Sequence, residues 1–331
     1  MKIKYFAILI LSWIFDSFSF TLPEMATIYT PKVVSNIINC DFEKAFELSD
    51  SLMLAYPQDP LPSLLKLTAI GMRDMDFEKT VDSINFLETY DKTENLIQNY
   101  EETNGISSYS LTLDGISKAI YASFYLRTSS YFAALNKGLD AIRLLKEAKK
   151  MDPDNTEANL FLGLYDYGRA ELRKKFWWVL FWYPGSKEEG IQKLSECGRS
   201  AFITGNAALL SLSEIYIKEN QPEKSLPILD ILQKNFPESR FVLWGKAKYF
   251  EAVEEFRNAS SVYQKLAAYY AKLPEGKYNY LMTSLNLAHT LVKSGMKEKA
   301  VVICESLLKE DEIKNNRSIR KETEKLLESI K

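Results

Sequence analysis

The chain has 331 residues, more than one compact core normally takes, and its 46% hydrophobic and 26% charged content marks globular and not disordered material. Its 42 Lys and Arg against 44 Asp and Glu leave a net charge of −2, without the basic footprint that nucleic-acid binding requires. With 13 glycines and 11 prolines as breakers, the composition predicts a mostly helical protein.

At the N-terminus, Lys2 and Lys4 precede an apolar run from Tyr5 to Phe15, followed by Asp16, Ser17, Phe18 and Ser19. This order predicts a cleaved secretory signal over residues 1–19, with export to the periplasm or the outer-membrane periphery. The run is too short to cross a bilayer, which takes about 20 apolar residues. No cysteine near residue 20 offers a lipid attachment point, since Cys40 lies too far along. Cys40, Cys197 and Cys304 are odd in number and widely spaced, so they form no disulfide framework and read as small core residues.

Beyond the leader a phrase recurs: small, large apolar, small or apolar, proline. It reads Ala45, Ser49, Leu52, Pro57, then Ala141, Leu145, Ala148, Pro153, then Ser225, Leu229, Leu232, Pro237. The first small residue can be followed as Ala45, Thr80, Ala141, Gly190, Ser225, Ala259 and Ala300, with spacings of 35, 61, 49, 35, 34 and 41. Polar turns precede several of these anchors: Asp41–Lys44, Asp76–Lys79, Gln221–Lys224 and Gly295–Glu298. They predict helix starts, with acids in the first turn where the helix dipole favours them. A small residue at each anchor lets two antiparallel helices approach closely. Upstream helices carry Leu162-Gly163, Leu212-Ser213 and Leu287-Ala288, and a large residue recurs at Phe132, Tyr216, Phe250 and Leu291.

On these residues the chain resembles a tetratricopeptide-repeat protein. The resemblance implies an all-α, right-handed solenoid of about seven helical hairpins over residues 20–310. A charged capping helix over residues 311–331 suits a solenoid end. A narrower similarity, over roughly residues 135–270, is to exported bacterial tetratricopeptide proteins, and more distantly to a eukaryotic mitochondrial outer-membrane-associated repeat family. It rests on Gly138–Ala141, Met151–Pro153, Gly163–Gly168 and Gly185–Gly190. Neither family brings catalytic residues to transfer.

Two long spacings mark insertions. Residues 88–125 predict longer helices joined by a polar loop near Asn104. Residues 169–186 hold Arg173, Lys174 and Lys175, then the octet Phe176–Tyr183 with Trp177, Trp178 and Trp182, then Pro184-Gly185. Three readings stand for the octet. It packs beside the widened repeat, it docks a partner as an exposed apolar patch, or it sits in a membrane interface.

The inventory for chemistry is thin. One histidine, His289, cannot build a multi-histidine metal site, and no Gly-rich phosphate loop or Gly-x-Ser-x-Gly motif is present. The sequence therefore predicts no enzyme, no cofactor and no metal. Of the glycosylation sequons, Asn258-Ala259-Ser260 falls on a buried anchor, leaving Asn316-Arg317-Ser318.

In the resembling fold the first helix of each pair lines the concave groove. Transfer by alignment gives Glu157, Leu160, Leu164 and Tyr167, then Phe241, Trp244, Lys248 and Glu251, then Met282, Leu285, His289 and Val292. Leu160, Leu164 and Leu285 are expected to pack on neighbouring repeats instead. The partner-binding candidates are Tyr165, Tyr167, Trp177, Trp178, Trp182, Tyr183, Phe241, Trp244, Lys248 and His289. The expected function is a non-enzymatic scaffold of the bacterial cell envelope that docks a protein or peptide segment in the groove. The alternative is a ligand-binding accessory of a transport system. An apolar cavity beside residues 165–183 would favour the latter, an open groove the former.

Overall fold

The computed structural model describes residues 24–175 and 185–331, with side chains from residue 28. The expected signal segment and the aromatic octet, including Trp177, Trp178, Trp182 and Tyr183, lie outside the described residues.

Every regular element among the described residues is helical. In chain order they are α1 (Glu24–Ile38), α2 (Phe42–Ala55), α3 (Leu61–Asp76), α4 (Ser83–Asn104), α5 (Ser108–Arg127), α6 (Tyr131–Met151), α7 (Asn159–Lys175), α8 (Lys187–Ser200), α9 (Gly205–Lys218), α10 (Pro222–Asn235), α11 (Arg240–Ala252), α12 (Phe256–Tyr270), α13 (Lys277–Lys293), α14 (Lys297–Leu307) and α15 (Arg317–Ile330). Consecutive helices pack as hairpins, α1 with α2 through α13 with α14. Odd-numbered helices also stack on the next odd one, as α1 on α3, α3 on α5, α7 on α9, α9 on α11 and α13 on α15. The odd helices form the inner layer and the even ones the outer layer of an all-α solenoid.

The repeat is written in the backbone as well as in the side chains. Six inner helices end on a residue with positive φ: Cys40, Glu78, Ser129, Asn220, Glu254 and Gly295. At each, the next N–H reaches back across the last turn, as in Asp41 N to Asn36 O at 2.9 Å and Met296 N to Leu291 O at 2.8 Å. This is the Schellman stop, which satisfies carbonyls that the helix end would leave unpaired.

Six of the seven sequence anchors are buried on outer helices: Ala45, Ala141, Gly190, Ser225, Ala259 and Ala300. Gly190 shows why they are small. A Cβ there would stand 2.7 Å from Gly163 O and 2.8 Å from Tyr167 N, so α7 and α8 touch backbone to backbone. Thr80 is the exception. It sits half-buried in the turn before α4, whose contact side is made of Phe86, Tyr90 and Thr93. Asp82 caps α4, accepting from Asn85 N at 3.1 Å, so the helix starts later than the Asp76–Lys79 turn suggests. The loop expected near Asn104 is present, with Gly105 at φ 80° and Ser107 closing a capping box on α5. Burial pushes the Cys40 and Cys197 thiols up to about 12, which leaves them as inert packing groups.

Candidate binding cavity

The solenoid curls until its second hairpin meets its sixth and seventh. Asp76 ends α3 with its carboxylate shielded from solvent. Arg240, 164 positions later, opens α11 and donates from Nε at 2.9 and 3.1 Å and from Nη2 at 2.5 Å. Tyr270 Oη donates to Asp76 Oδ1 at 2.8 Å, and Asn279 Nδ2 donates to the Asp76 carbonyl at 3.1 Å. An acid at the start of α11 also meets the positive end of that helix. Burial alone would lower the Arg240 pKa, but the Asp76 hydrogen bonds reverse this and hold the guanidinium above its ordinary value. Phe77 packs beside this clasp with Leu243, Tyr270 and Leu281, far from its sequence neighbours.

Beside the clasp the inner face holds a half-open cavity of about 530 Å³, within the range of roughly 300–1,000 Å³ typical of ligand sites. Each of the six inner helices from α3 to α13 contributes an apolar side chain: Met72, Ile120, Phe161, Leu210, Trp244 and Met282. Small residues on the same walls, Gly71, Ala119, Ala207 and Ser211, leave the bore open. Trp244 is held edge-on to Tyr263 at 5.7 Å and donates from Nε1 to Tyr270 Oη at 3.1 Å. Two opposite charges on the wall pair with each other, Lys248 Nζ with Glu214 Oε1 at 2.5 Å. Glu78 also faces the cavity, and burial holds its carboxyl above the ordinary value, with Lys248 offsetting part of the rise. Arg127, at the end of α5, is the remaining wall cation.

Of the sequence candidates, Phe241, Trp244 and Lys248 line this cavity. Tyr167 does not. It is buried against α8, donates to Glu219 Oε1 at 2.7 Å and lies beneath Lys187 and Lys218. Tyr165 packs on the cluster of Ile142, Leu145 and Leu162, with Lys146 and Arg169 over its ring. His289 Nε2 lies 3.1 Å from Glu322 of α15, away from the cavity wall.

Other groove positions also depart from the alignment. Glu157 is fully buried and accepts from the N–H groups of Phe202, Ile203 and Thr204 at 2.5, 3.0 and 2.9 Å, sealing the start of α9. Burial raises its carboxyl and those N–H bonds pull it back. Leu160 and Leu164, expected to pack on neighbouring repeats, reach the cavity as well, while Leu285 is buried in the core. Glu251 accepts from Tyr263 Oη at 3.0 Å.

Below Tyr167 the base of the aromatic insertion is tied by ion pairs. Glu171 meets Lys187 at 2.5 Å and Lys218 at 2.7 Å, and Lys187 meets Glu219 at 2.6 Å. The two lysines lower the Glu171 carboxyl to about 2. Asp76, Arg127 and Arg240 escape a sequence reading. No pattern links positions 164 apart, and Arg127 falls in the stretch between Thr80 and Ala141 where the repeat register breaks.

Among the described residues no group of three His, Cys, Asp or Glu side chains could hold a metal ion, and no helix is long and apolar enough to cross a membrane. No protein-family model and no curated protein matches the chain. It is similar to several solved structures. One is the C-terminal part of a TPR repeat-containing protein from Cytophaga hutchinsonii, at 14% identity over 85% of this chain and 95% of that one, with a TM-score of 0.42. Another is the human IFIT1 dimer with m7Gppp-AAAA, at 12% identity over 88% and 74%, TM-score 0.44. A third is yeast Tom70, at 15% identity over 87% and 59%, TM-score 0.41. Hairpin pairing, repeated Schellman stops and buried small anchors make this chain a solenoid of tetratricopeptide-like helical hairpins.

Proposed function

We propose that this chain is a non-enzymatic binding scaffold whose occupant is held inside the solenoid. The observation that carries this reading is the half-open apolar cavity walled by six inner helices and bordered by Asp76 of the Asp76–Arg240 clasp. An α-helix with its side chains is about 10–12 Å across. A cavity of about 530 Å³ therefore suits a small ligand or a short segment better than a long helix laid in an open groove. The basic and apolar leader from Lys2 to Ser19 supports a place in the cell envelope.

The test uses the neutral apolar dye N-phenyl-1-naphthylamine. Saturable binding near one dye per chain is expected for the wild type. Ala207→Trp, which fills the bore, should abolish it while leaving thermal unfolding within a few degrees. Dye bound equally by both proteins would place the apolar site elsewhere and end the proposal.

A further inference from the structure

The outer layer carries an apolar face that the cavity does not use. On α6, Tyr131, Leu135 and Leu139 recur every fourth residue, and Phe132 stands three and seven residues before the last two, so all four share one side of the helix. All four are exposed, Phe132 at 77% and Tyr131 at 69%. On α4, Ile84 is 70% exposed, and Leu87, one turn later, is exposed as well. An aromatic side chain spans about 200 Å², so Tyr131 and Phe132 alone offer roughly 300 Å². That already equals the largest apolar patch of many monomers, about 300–600 Å².

Farther along the same two helices the exposed sides turn polar and take opposite signs. Glu88, Asp91 and Glu102 are exposed on α4, and Arg143, Lys146 and Lys150 on α6. With exposed Lys92 and Asp140 counted, the exposed charges come to −2 on α4 and +2 on α6. Two successive hairpin turns, at 105–107 and 128–130, make α4 and α6 run in the same direction. The two helices are also level. Lys137 Nζ, on the seventh residue of α6, lies 5.7 Å from the ring centroid of Tyr90, the eighth residue of α4.

We infer that this face is an interface between two copies of the chain, related by a two-fold axis that runs between α4 and α6 and parallel to them. That operation lays α4 of each copy along α6 of the other, in the same direction. Ile84 and Leu87 then meet Phe132, Leu135 and Leu139, and the acids of one copy meet the bases of the other. Each contact occurs twice, as an isologous interface requires. Helices of 22 and 21 residues side by side cover about 30 by 20 Å, or roughly 600 Å² in projection. That approaches the roughly 800 Å² per partner of a stable interface. An anionic lipid surface would attract α6 and repel α4. A second copy satisfies both halves.

The experiment is sedimentation velocity of the full chain at about 50 μM, in the range where an interface of standard size associates. Wild type is expected at twice the 38.1 kDa of one chain, and Phe132→Glu, changed at an exposed position, at the single mass. Two charge-reversed forms, Arg143→Glu/Lys150→Glu and Asp91→Lys/Glu102→Lys, set like charges against each other across the axis. Each alone should dissociate about tenfold more readily or worse. Mixed in equal amounts they should pair again, because each presents the sign that the other needs. A monomeric wild type, whether or not it binds phosphatidylglycerol vesicles, overturns the inference and needs no variant to fold. A dimer that survives Phe132→Glu overturns the choice of this face. Reversed forms that dimerise as well as wild type, or that stay apart when mixed, overturn the laying of α4 on α6.

Discussion

Two polar networks hold parts of this solenoid that the repeat alone would not join, and they work by opposite physics. The clasp of Asp76, Arg240, Tyr270 and Asn279 is buried and joins residues up to 203 positions apart. The base of the aromatic insertion joins Tyr167, Glu171, Lys187, Lys218 and Glu219 near the surface, with Lys218 half-exposed. The clasp is buried, so each charge depends on its partner, and removing one strands the other. At the insertion base water can replace a lost partner, so each pair contributes little. The first network therefore sets the shape of the molecule, and the second steadies a local departure from it.

The largest effect should come from breaking the clasp. Arg240→Ala is expected to cost about 3–5 kcal/mol in chemical unfolding, because it leaves the Asp76 carboxylate buried and unpaired. It should also weaken dye binding in the cavity. A loss below about 1 kcal/mol would make the clasp no stronger than a surface pair.

A middle effect should come from the packing between the two regions. Gly190→Ala places a methyl group 2.7 Å from Gly163 O and forces α7 and α8 apart. Overpacking of this kind costs about 1–3 kcal/mol. The thermal midpoint should fall, with near-wild-type affinity in the cavity because neither glycine lines it.

The smallest effect belongs to the insertion base. Glu171→Gln should cost less than about 1 kcal/mol, and 0.5 M NaCl should erase most of that difference while sparing the effect of Arg240→Ala. Its pH dependence has a definite sign. The folded Glu171 carboxyl is held at about 2 by hydrogen bonds from Lys187 and Lys218, below its ordinary 4.5. A depressed carboxylate stabilises the fold above about 4.5 and loses that contribution as pH falls toward 2. The stability gap between wild type and Glu171→Gln should therefore close between those values. A gap that stays constant from pH 6 to pH 2.5 would show that the carboxylate is not paired in solution.

The same contrast explains what the sequence reveals. Hairpins are legible because their cause is local: a small residue such as Ala259 or Ala300 recurs about one repeat apart and is buried where two helices meet. Thr80 misleads because Asp76 and Phe77 look like a helix start and are instead committed to a distant repeat. Among the site candidates, Phe241, Trp244 and Lys248 lie on the cavity wall because their repeat is regular in length. Tyr167 follows the same alignment but sits at the entrance to the insertion, where Lys187, Lys218 and Glu219 recruit it. Arg127 carries no signal, since an orphaned donor is a property of the packed interior and not of any spacing.

The central claim is that the solenoid closes on itself through Asp76 and Arg240, and a double-mutant cycle tests it most directly. The measurement compares unfolding free energies of Asp76→Ala, Arg240→Ala and the pair together. Direct contact predicts that the double mutant is more stable than the sum of the two single losses allows, by more than about 1 kcal/mol. Additive losses, within about 0.3–0.5 kcal/mol, would mean that the two residues do not meet and that the inner face is an open groove.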